Sequence, residues 1–541
     1  MPLERTWTYS LPGRQTWRLT ALLSVCFLAV SGCHIPGLRC ADPGPVTPGS
    51  YNGVASAENS GHLGIQEFFD DAVLTQLISE GLMQNQELKI RNQEVMIASN
   101  EILSRRGAYL PFVTGGLRGG FERTSKFTPL GAAEDQLTYP GGGTFPDPLG
   151  NVNLSANLFW EIDIWRRLRN ARDAAIQRYC EAVEARNFLI TQIVAEIATN
   201  YYELAALDQR LVYLDQTIEL QQKSLEVSRA QKDAGRGTEL PVQRFLAEVR
   251  RNESQRLIVR QQIIETENRI NFLTGRYPQH VDRQQWDFIR LDSQPLQVGV
   301  PSDLLRNRRD IIAAEYEVAA SGLDVLVAKA NFYPRLSINA GVGFEAFNPR
   351  YLFDPGAFIA GTAGELVAPL INKRAIQAEY KNANARQLQA IYNYQRTVLN
   401  AFTEVVNSLN KVDNYRNSVA IKHEQVQALE SSVDVATQLF QNARPEADYI
   451  DVLFSQRDLL EARTVLIETK QQQLSAIVAA YQALGGGYLM STGDMNIPGV
   501  LEDEPTDLMV PPAPAAANDQ PANQENKQPP AEPGDAGEAK L

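Results

Sequence analysis

Residues 176–225 read IQRYCEAVEARNFLITQIVAEIATNYYELAALDQRLVYLDQTIELQQKSL. Ile176, Val183, Ile190, Ile197, Leu204, Leu211, Ile218 and Leu225 stand seven apart, and no proline or glycine interrupts them. Such a run predicts one continuous helix. A strict seven-residue repeat keeps one apolar seam turned toward a neighbour only when helices wind around each other with a left-handed twist. Globular helices average about 11–12 residues, so this length points to a coiled-coil-like assembly. The same ruler returns 208 residues later, in Ile391, Val398, Val405, Val412, Val419, Val426, Val433 and Phe440.

The first long helix is expected from Trp165 to Lys232. It ends at Asp233-Ala234-Gly235-Arg236-Gly237, where Gly235 and Gly237 suit the left-handed angles of a tight hairpin. A return helix runs from Leu240 to about Leu273. The second long helix is expected from Lys373 to Asn442, with a tip at Ala443-Arg444-Pro445-Glu446-Ala447. Its return helix again carries apolar residues seven apart: Leu453, Leu460, Ile467, Leu474 and Tyr481.

Each hairpin is preceded by a shorter helical pattern and two alternating segments. Ile65 to Gly107 reads as helix, and Pro111 stops it. Phe112 to Glu122 then alternates, as do Val152, Leu154, Ala156, Leu158 and Trp160 against Asn151, Asn153, Ser155 and Asn157. A loop containing Pro140-Gly141-Gly142-Gly143 separates the two. The second copy has a helix from Asp303 to Asn331, a clear strand after Pro334 and a weaker one from Phe358 to Leu366. Tyr109-Leu110-Pro111 matches Phe332-Tyr333-Pro334, and Glu196-Ile197 matches Glu404-Val405. The chain is therefore read as a duplication. The first repeat is 65–275, with strands 111–122 and 151–162 and a tip near 233–239. A connector, 276–302, follows. The second repeat is 303–487, with strands 334–346 and 357–367 and a tip near 443–447.

The ends read differently. Arg14 and Arg18 precede an apolar segment, Leu19 to Val30, and then Ser31-Gly32-Cys33, the pattern of a secretory signal over residues 1–32. The residues before Cys33 resemble a bacterial lipobox, which implies acylation of Cys33, and His34, not being aspartate, permits sorting to the outer membrane. Cys26 would leave with the signal, and Cys40 and Cys180 have no assigned role. Residues 33–64 are a flexible leader rich in Pro, Gly and Ser. Residues 488–541 are a Pro/Ala/acidic tail without periodicity.

Composition excludes several classes. A net charge of −13 argues against nucleic-acid binding, which needs a clustered basic face. No apolar run reaches the roughly 18 residues of a membrane-spanning helix. The four histidines and four cysteines are too scattered for a metal or histidine-based catalytic site. No nucleophile–base pair or phosphate loop is evident, so neither an enzyme nor a cofactor is expected.

Strands of about 10 residues can cross a bilayer when tilted, and apolar/polar alternation suits a wall between lipid and water. An amphipathic sheet on a globular core would alternate equally well. The signal, the anchor and the turn-rich setting favour lipid. Four strands cannot close, and open edges in hydrocarbon leave backbone groups unpaired at several kcal/mol each. At least two copies must therefore pool their strands. A helix of about 68 residues would be roughly 100 Å long, so the expected object is a tube, lipid-embedded at one end and a hollow coiled coil at the other.

In this order the duplication, Trp160-Glu161-Ile162-Asp163, Tyr201-Tyr202, Pro111, Pro334 and Tyr449-Ile450-Asp451-Val452-Leu453 resemble TolC-type outer-membrane efflux proteins, in their lipoprotein branch. That resemblance, over about residues 65–490, implies a mainly α fold with transmembrane β. It implies a homotrimer pooling four strands per chain into a 12-stranded outer-membrane barrel, continued by a long coiled-coil periplasmic barrel. The partners it implies are a periplasmic membrane-fusion adaptor, an inner-membrane pump and outer-membrane lipid. By the same resemblance the periplasmic gate is Ile450 and Asp451, with Phe454 where relatives carry a second aspartate: an acidic ring beside an apolar plug. Gly235, Arg236, Gly237 and Thr238, with Arg444, Pro445 and Glu446, are candidate adaptor contacts. The alternatives are a duct for exported polypeptide and, in a different class, a periplasmic coiled-coil scaffold without a pore.

Overall fold

Along both long helices the residues spaced by seven are the ones withdrawn from water. In the computed structural model, which describes residues 35–490 except 52, 54, 55, 57, 285–287, 292–295, 370, 372 and 443–448, Ile190, Ile197, Leu204, Ile218 and Leu225 are buried in the first. Val405, Val412, Val426, Val433 and Phe440 are buried in the second. The remaining heptad positions are half-buried, and none is exposed.

The chain begins with α1 (Ile65–Phe69), α2 (Ala72–Gln84) and α3 (Gln86–Ala108), then β1 (Phe112–Glu122). A one-and-a-half-turn helix, α4 (Pro129–Glu134), interrupts the loop to β2 (Leu149–Ile162). The first long hairpin is α5 (Arg167–Asp233) and α6 (Glu239–Leu273). After the connector come α7 (Leu304–Asn307), α8 (Arg309–Ala330), β3 (Arg335–Ala346) and β4 (Phe358–Val367). The second long hairpin is α9 (Arg374–Gln441) and α10 (Tyr449–Ala483). At 67 residues, α5 spans about 100 Å.

Two helical expectations need correction. Ile65 to Gly107 is three helices, because Asp70 is left-handed (φ 45°) and Asp71 and Asn85 cap new starts by accepting from Val73, Leu74 and Leu88 N–H. Short polar side chains that hydrogen-bond the backbone compete with helix continuation, and an apolar-spacing count does not register them. The helix expected from Asp303 likewise restarts after Arg308, whose backbone is extended. That guanidinium is buried between Asp310 (2.7 Å) and Glu404 (2.6 Å).

The strands form one antiparallel sheet in the order β1-β2-β3-β4. Register carries the decisive information. Val113 faces Leu158, which faces Ala340; Leu117 faces Leu154, which faces Phe344; Phe344 faces Phe358. On alternate positions Thr114 faces Asn157, Arg118 faces Asn153, which faces Glu345, and Ser337 faces Glu365. All four strands thus align in phase, one face mainly apolar and the other mainly polar; Phe112, Phe159, Ile359 and Val367 fall on the polar side near the strand ends, and Thr362 on the apolar side. A one-residue slip in any pair would have scrambled both faces. Neither β1 nor β4 has a second partner among the described residues.

The corner between sheet and helix explains Trp160-Glu161-Ile162-Asp163. Glu161 takes the Arg167 guanidinium at 2.7 and 2.8 Å. Asp163 accepts from Leu168 N–H (3.1 Å), Arg169 N–H (2.9 Å) and Arg169 Nε (3.2 Å), closing the open amino end of α5. Burial opposes the charge on Asp163, but these donors outweigh it and hold the carboxyl below the usual carboxylate range. Its contribution to stability is therefore present above the ordinary carboxylate pKa and lost only as pH falls through the depressed one. Asp163→Ala is expected to cost about 1–2 kcal/mol per chain, read as a lower melting temperature. That loss should be the same at pH 7 and pH 5.5 and shrink only in stronger acid.

Trp160 donates to Tyr109 O (3.1 Å), and Trp165 donates to Pro334 O (2.8 Å) while stacking on Tyr333 at 4.6 Å. Trp and Tyr with one apolar and one hydrogen-bonded end suit the level where hydrocarbon meets water.

Candidate gate and conduit

At the far end from the sheet, Leu225 of α5, Val242 and Phe245 of α6, Phe440 of α9 and Val452 and Leu453 of α10 form one apolar cluster. Gln456 donates to Ser224 (3.1 Å) and Asn252 donates to Gln221 (2.9 Å), all four side chains buried. Buried polar pairs of this kind tolerate only one helix register. They fix the rotation of α10.

That rotation decides what Ile450, Asp451 and Phe454 do. Val452, Leu453, Gln456 and Leu459 face the bundle. Ile450, Asp451 and Phe454 emerge together on the opposite face, Ile450 40% and Phe454 52% exposed. Positions separated by three and four share a helix face, so one carboxylate and two apolar side chains make a single patch in the first turn and a half of α10. Asp458 is exposed as well and lies seven residues on, about 10 Å along the axis. It escaped the sequence reading, although the heptad count, run from Asp451 instead of from Leu453, lands on it.

The first tip is a Schellman turn. Gly235 N–H donates to Lys232 O (2.9 Å) and Arg236 N–H to Gln231 O (2.9 Å), with Gly235 at φ +73°. Gly237, expected to be left-handed too, is not among the positive-φ glycines; the Schellman turn needs only one such residue. Lys232 pairs with Glu239 across the turn at 2.6 Å. Gly235, Arg236, Gly237 and Thr238 are all exposed. Arg444, Pro445 and Glu446 lie outside the described residues, as do Cys33, the signal segment and the tail beyond 490. Tyr201 belongs to the core rather than to a site: it is buried, with its hydroxyl accepting from Gln284 N–H at 3.2 Å.

Residues 77–276 and 300–486, one span per repeat, match the outer membrane efflux protein family. The chain belongs to this family. It is 26% identical over 429 residues to the solvent efflux pump outer membrane protein SrpC of Pseudomonas putida, covering 79% of this chain and 88% of that protein. It is 25% identical over 471 residues to the cation efflux system protein CusC of Escherichia coli K12, covering 86% and 99%. Its fold superposes on the solved outer-membrane channel OprN with a TM-score of 0.74 at 23% identity, covering 84% of this chain and all of that one. This outer membrane efflux protein therefore has the duplicated channel fold: strands for the barrel, helical hairpins for the periplasmic tube.

Proposed function

We propose that three copies of this chain form the outer-membrane exit channel of a tripartite efflux system, receiving small molecules from a periplasmic adaptor and an inner-membrane pump. One observation carries the reading. A four-stranded sheet with a largely apolar face has both outer strands without a second partner among the described residues, and it stands on helices of 67 and 68 residues. Pooling three sheets pairs every edge and leaves the polar face around water. The patch of Ile450, Asp451 and Phe454 narrows the periplasmic end, and the tips meet the adaptor. The relatives are named for solvent and cation efflux, in keeping with small cargo. The drive comes from the pump, since a passive pore supplies none. The test is conductance in planar bilayers together with a heat-stable oligomer on gels; a monomer that stays in the aqueous fraction would overturn the proposal.

The lipid anchor is part of this reading. Ile35 packs against Val325, Ala328, Phe332 and Tyr380, just before Pro334 and β3. Arg39 exchanges hydrogen bonds with Asn384 (3.0 and 3.1 Å), and Asp42 O accepts from Gln395 (3.0 Å), so the leader runs down α9 from the sheet. Ile35 thus lies at the membrane-facing level, in keeping with an acyl anchor just before it in the sequence. Cys33→Ser is expected to abolish palmitate incorporation while leaving the protein in the membrane fraction, because the strands hold it there. Unchanged labelling would refute the anchor.

A further inference from the structure

The loop end of the sheet holds a chamber that conduction does not require. Its construction begins with Pro140-Gly141-Gly142-Gly143. Tyr139 N–H donates to Gly143 O and Gly142 N–H to Tyr139 O, both at 3.0 Å, beneath a bridge between Thr138 and Thr144. Gly141 (φ +124°) and Gly142 (φ +87°) take angles that side chains disfavour. A Cβ on Gly143 would sit 2.5 Å from the Tyr139 hydroxyl oxygen, so the ring rests on bare backbone. This turn sets Tyr139 against Phe145, Phe347 and Tyr351, with centroids 5.9, 5.1 and 5.9 Å away. Phe347 lies 5.1 Å from Phe145 and 5.3 Å from Tyr351. Ring planes are inclined by 37–78°, so the group presents a mixture of faces and edges.

These rings border a cavity of about 470 Å³ whose other walls include Glu122, Glu345 and Asp354, and no lysine or arginine lines it. Lys126 pairs with Asp135 (2.6 Å) and Arg123 with Asp147 (3.1 Å), while the Arg350 charge reaches Tyr139 without lining the cavity and is outnumbered by the carboxylates of Glu122, Glu345 and Asp354. By register Glu122, Asn151 and Glu345 lie on the polar face of the sheet. A separate aromatic group, Phe344 with Phe353 and Phe358 at 6.0 and 5.8 Å, stems from the apolar face and accounts for an interfacial girdle. The rings around Tyr139 are not needed for that purpose.

We infer that this cavity is an exit-side binding site for lipophilic organic monocations. Such ions are weakly hydrated and offer no donors, so ring faces can replace their water while carboxylates at a distance balance the charge. A divalent metal fits poorly. It needs several oxygens converging at about 2.3–2.6 Å, whereas Glu345 already accepts from Asn151 (2.8 Å) and Asp354 from Gly356 N–H (2.8 Å). Among the described residues no group of His, Cys, Asp and Glu could hold a metal. The location at an exit rests on the channel reading; the binding does not.

The experiment uses the full chain in detergent, with radiolabelled tetraphenylphosphonium in equilibrium dialysis. The expected result is one saturable site per chain with which neutral triphenylphosphine oxide does not compete. Phe347→Ala should weaken binding about tenfold, and Glu345→Gln, at an exposed position, several-fold. Gly143→Ala removes no chemistry but displaces the Tyr139 ring, and it should weaken binding as the ring deletion does. Absence of saturable binding, equal competition by the neutral compound, or unchanged affinity in Glu345→Gln and Gly143→Ala would each overturn the site. Conductance of the same samples is scored separately. Binding without conductance would remove the channel and leave the site; conductance without binding would do the reverse.

Discussion

Leu158→Arg is expected to abolish the heat-stable oligomer, whereas Asn157→Arg, one residue away, is expected to leave it intact. Leu158 sits in the second strand with Val113 on one side and Ala340 on the other, inside the apolar face. Asn157 sits between Thr114 and Gly341 on the polar face. An arginine facing lipid near mid-membrane costs about 2–4 kcal/mol per chain in a barrel wall. In the proposed trimer three chains would multiply this to roughly 6–12 kcal/mol, comparable to the whole stability of a typical domain. Arginine on the polar face keeps its hydration and costs little. Oligomer retention on unheated gels and bilayer conductance distinguish the two variants. Equal behaviour would mean that the sheet does not separate lipid from water.

Asp451→Ala is expected to raise single-channel conductance and to erode cation preference. In the proposed trimer three Asp451 carboxylates face one axis. At about 8 Å in water each contributes roughly 0.5 kcal/mol to a passing monovalent ion. The three together favour cations over neutral solutes by about tenfold, and over anions by more. Because Asp458 lies on the same exposed side of the helix, the single substitution should leave residual selectivity, and Asp451→Ala with Asp458→Ala should remove most of it. Phe454→Ala is expected to widen the pore without changing selectivity, since it removes bulk and no charge. Reversal potentials in a salt gradient separate the effects. An Asp451→Ala channel with unaltered reversal potential and conductance would remove this residue from the gate.

Much of the architecture was legible because the chain repeats simple spacings. A period of seven over eight positions in each long helix, and a period of two in the strands, are properties of residue order alone. Capping escaped that reading. Asp70, Asp71 and Asn85 cut an apparent single helix into three through local hydrogen bonds, which apolar periodicity does not encode. The residues proposed for the gate could be named from the family resemblance, but not oriented. Whether Asp451 points into the bundle or out of it depends on how Val452, Leu453 and Gln456 seat against Leu225, Phe245 and Ser224, partners more than 200 residues away in sequence. The aromatic chamber was wholly hidden, since the Tyr139 turn and the Phe347 loop have no common pattern.

From residue order alone came the duplication, helices too long for a globule, and two amphipathic strands in each repeat. Folding in three dimensions was needed to show that all four strands align in phase, with β1 and β4 each lacking a second partner among the described residues, and which side of the last helix turns away from the bundle. The reason is physical: periodicity states how often an apolar side chain recurs, whereas register and rotation are set by contacts between segments that meet only after folding.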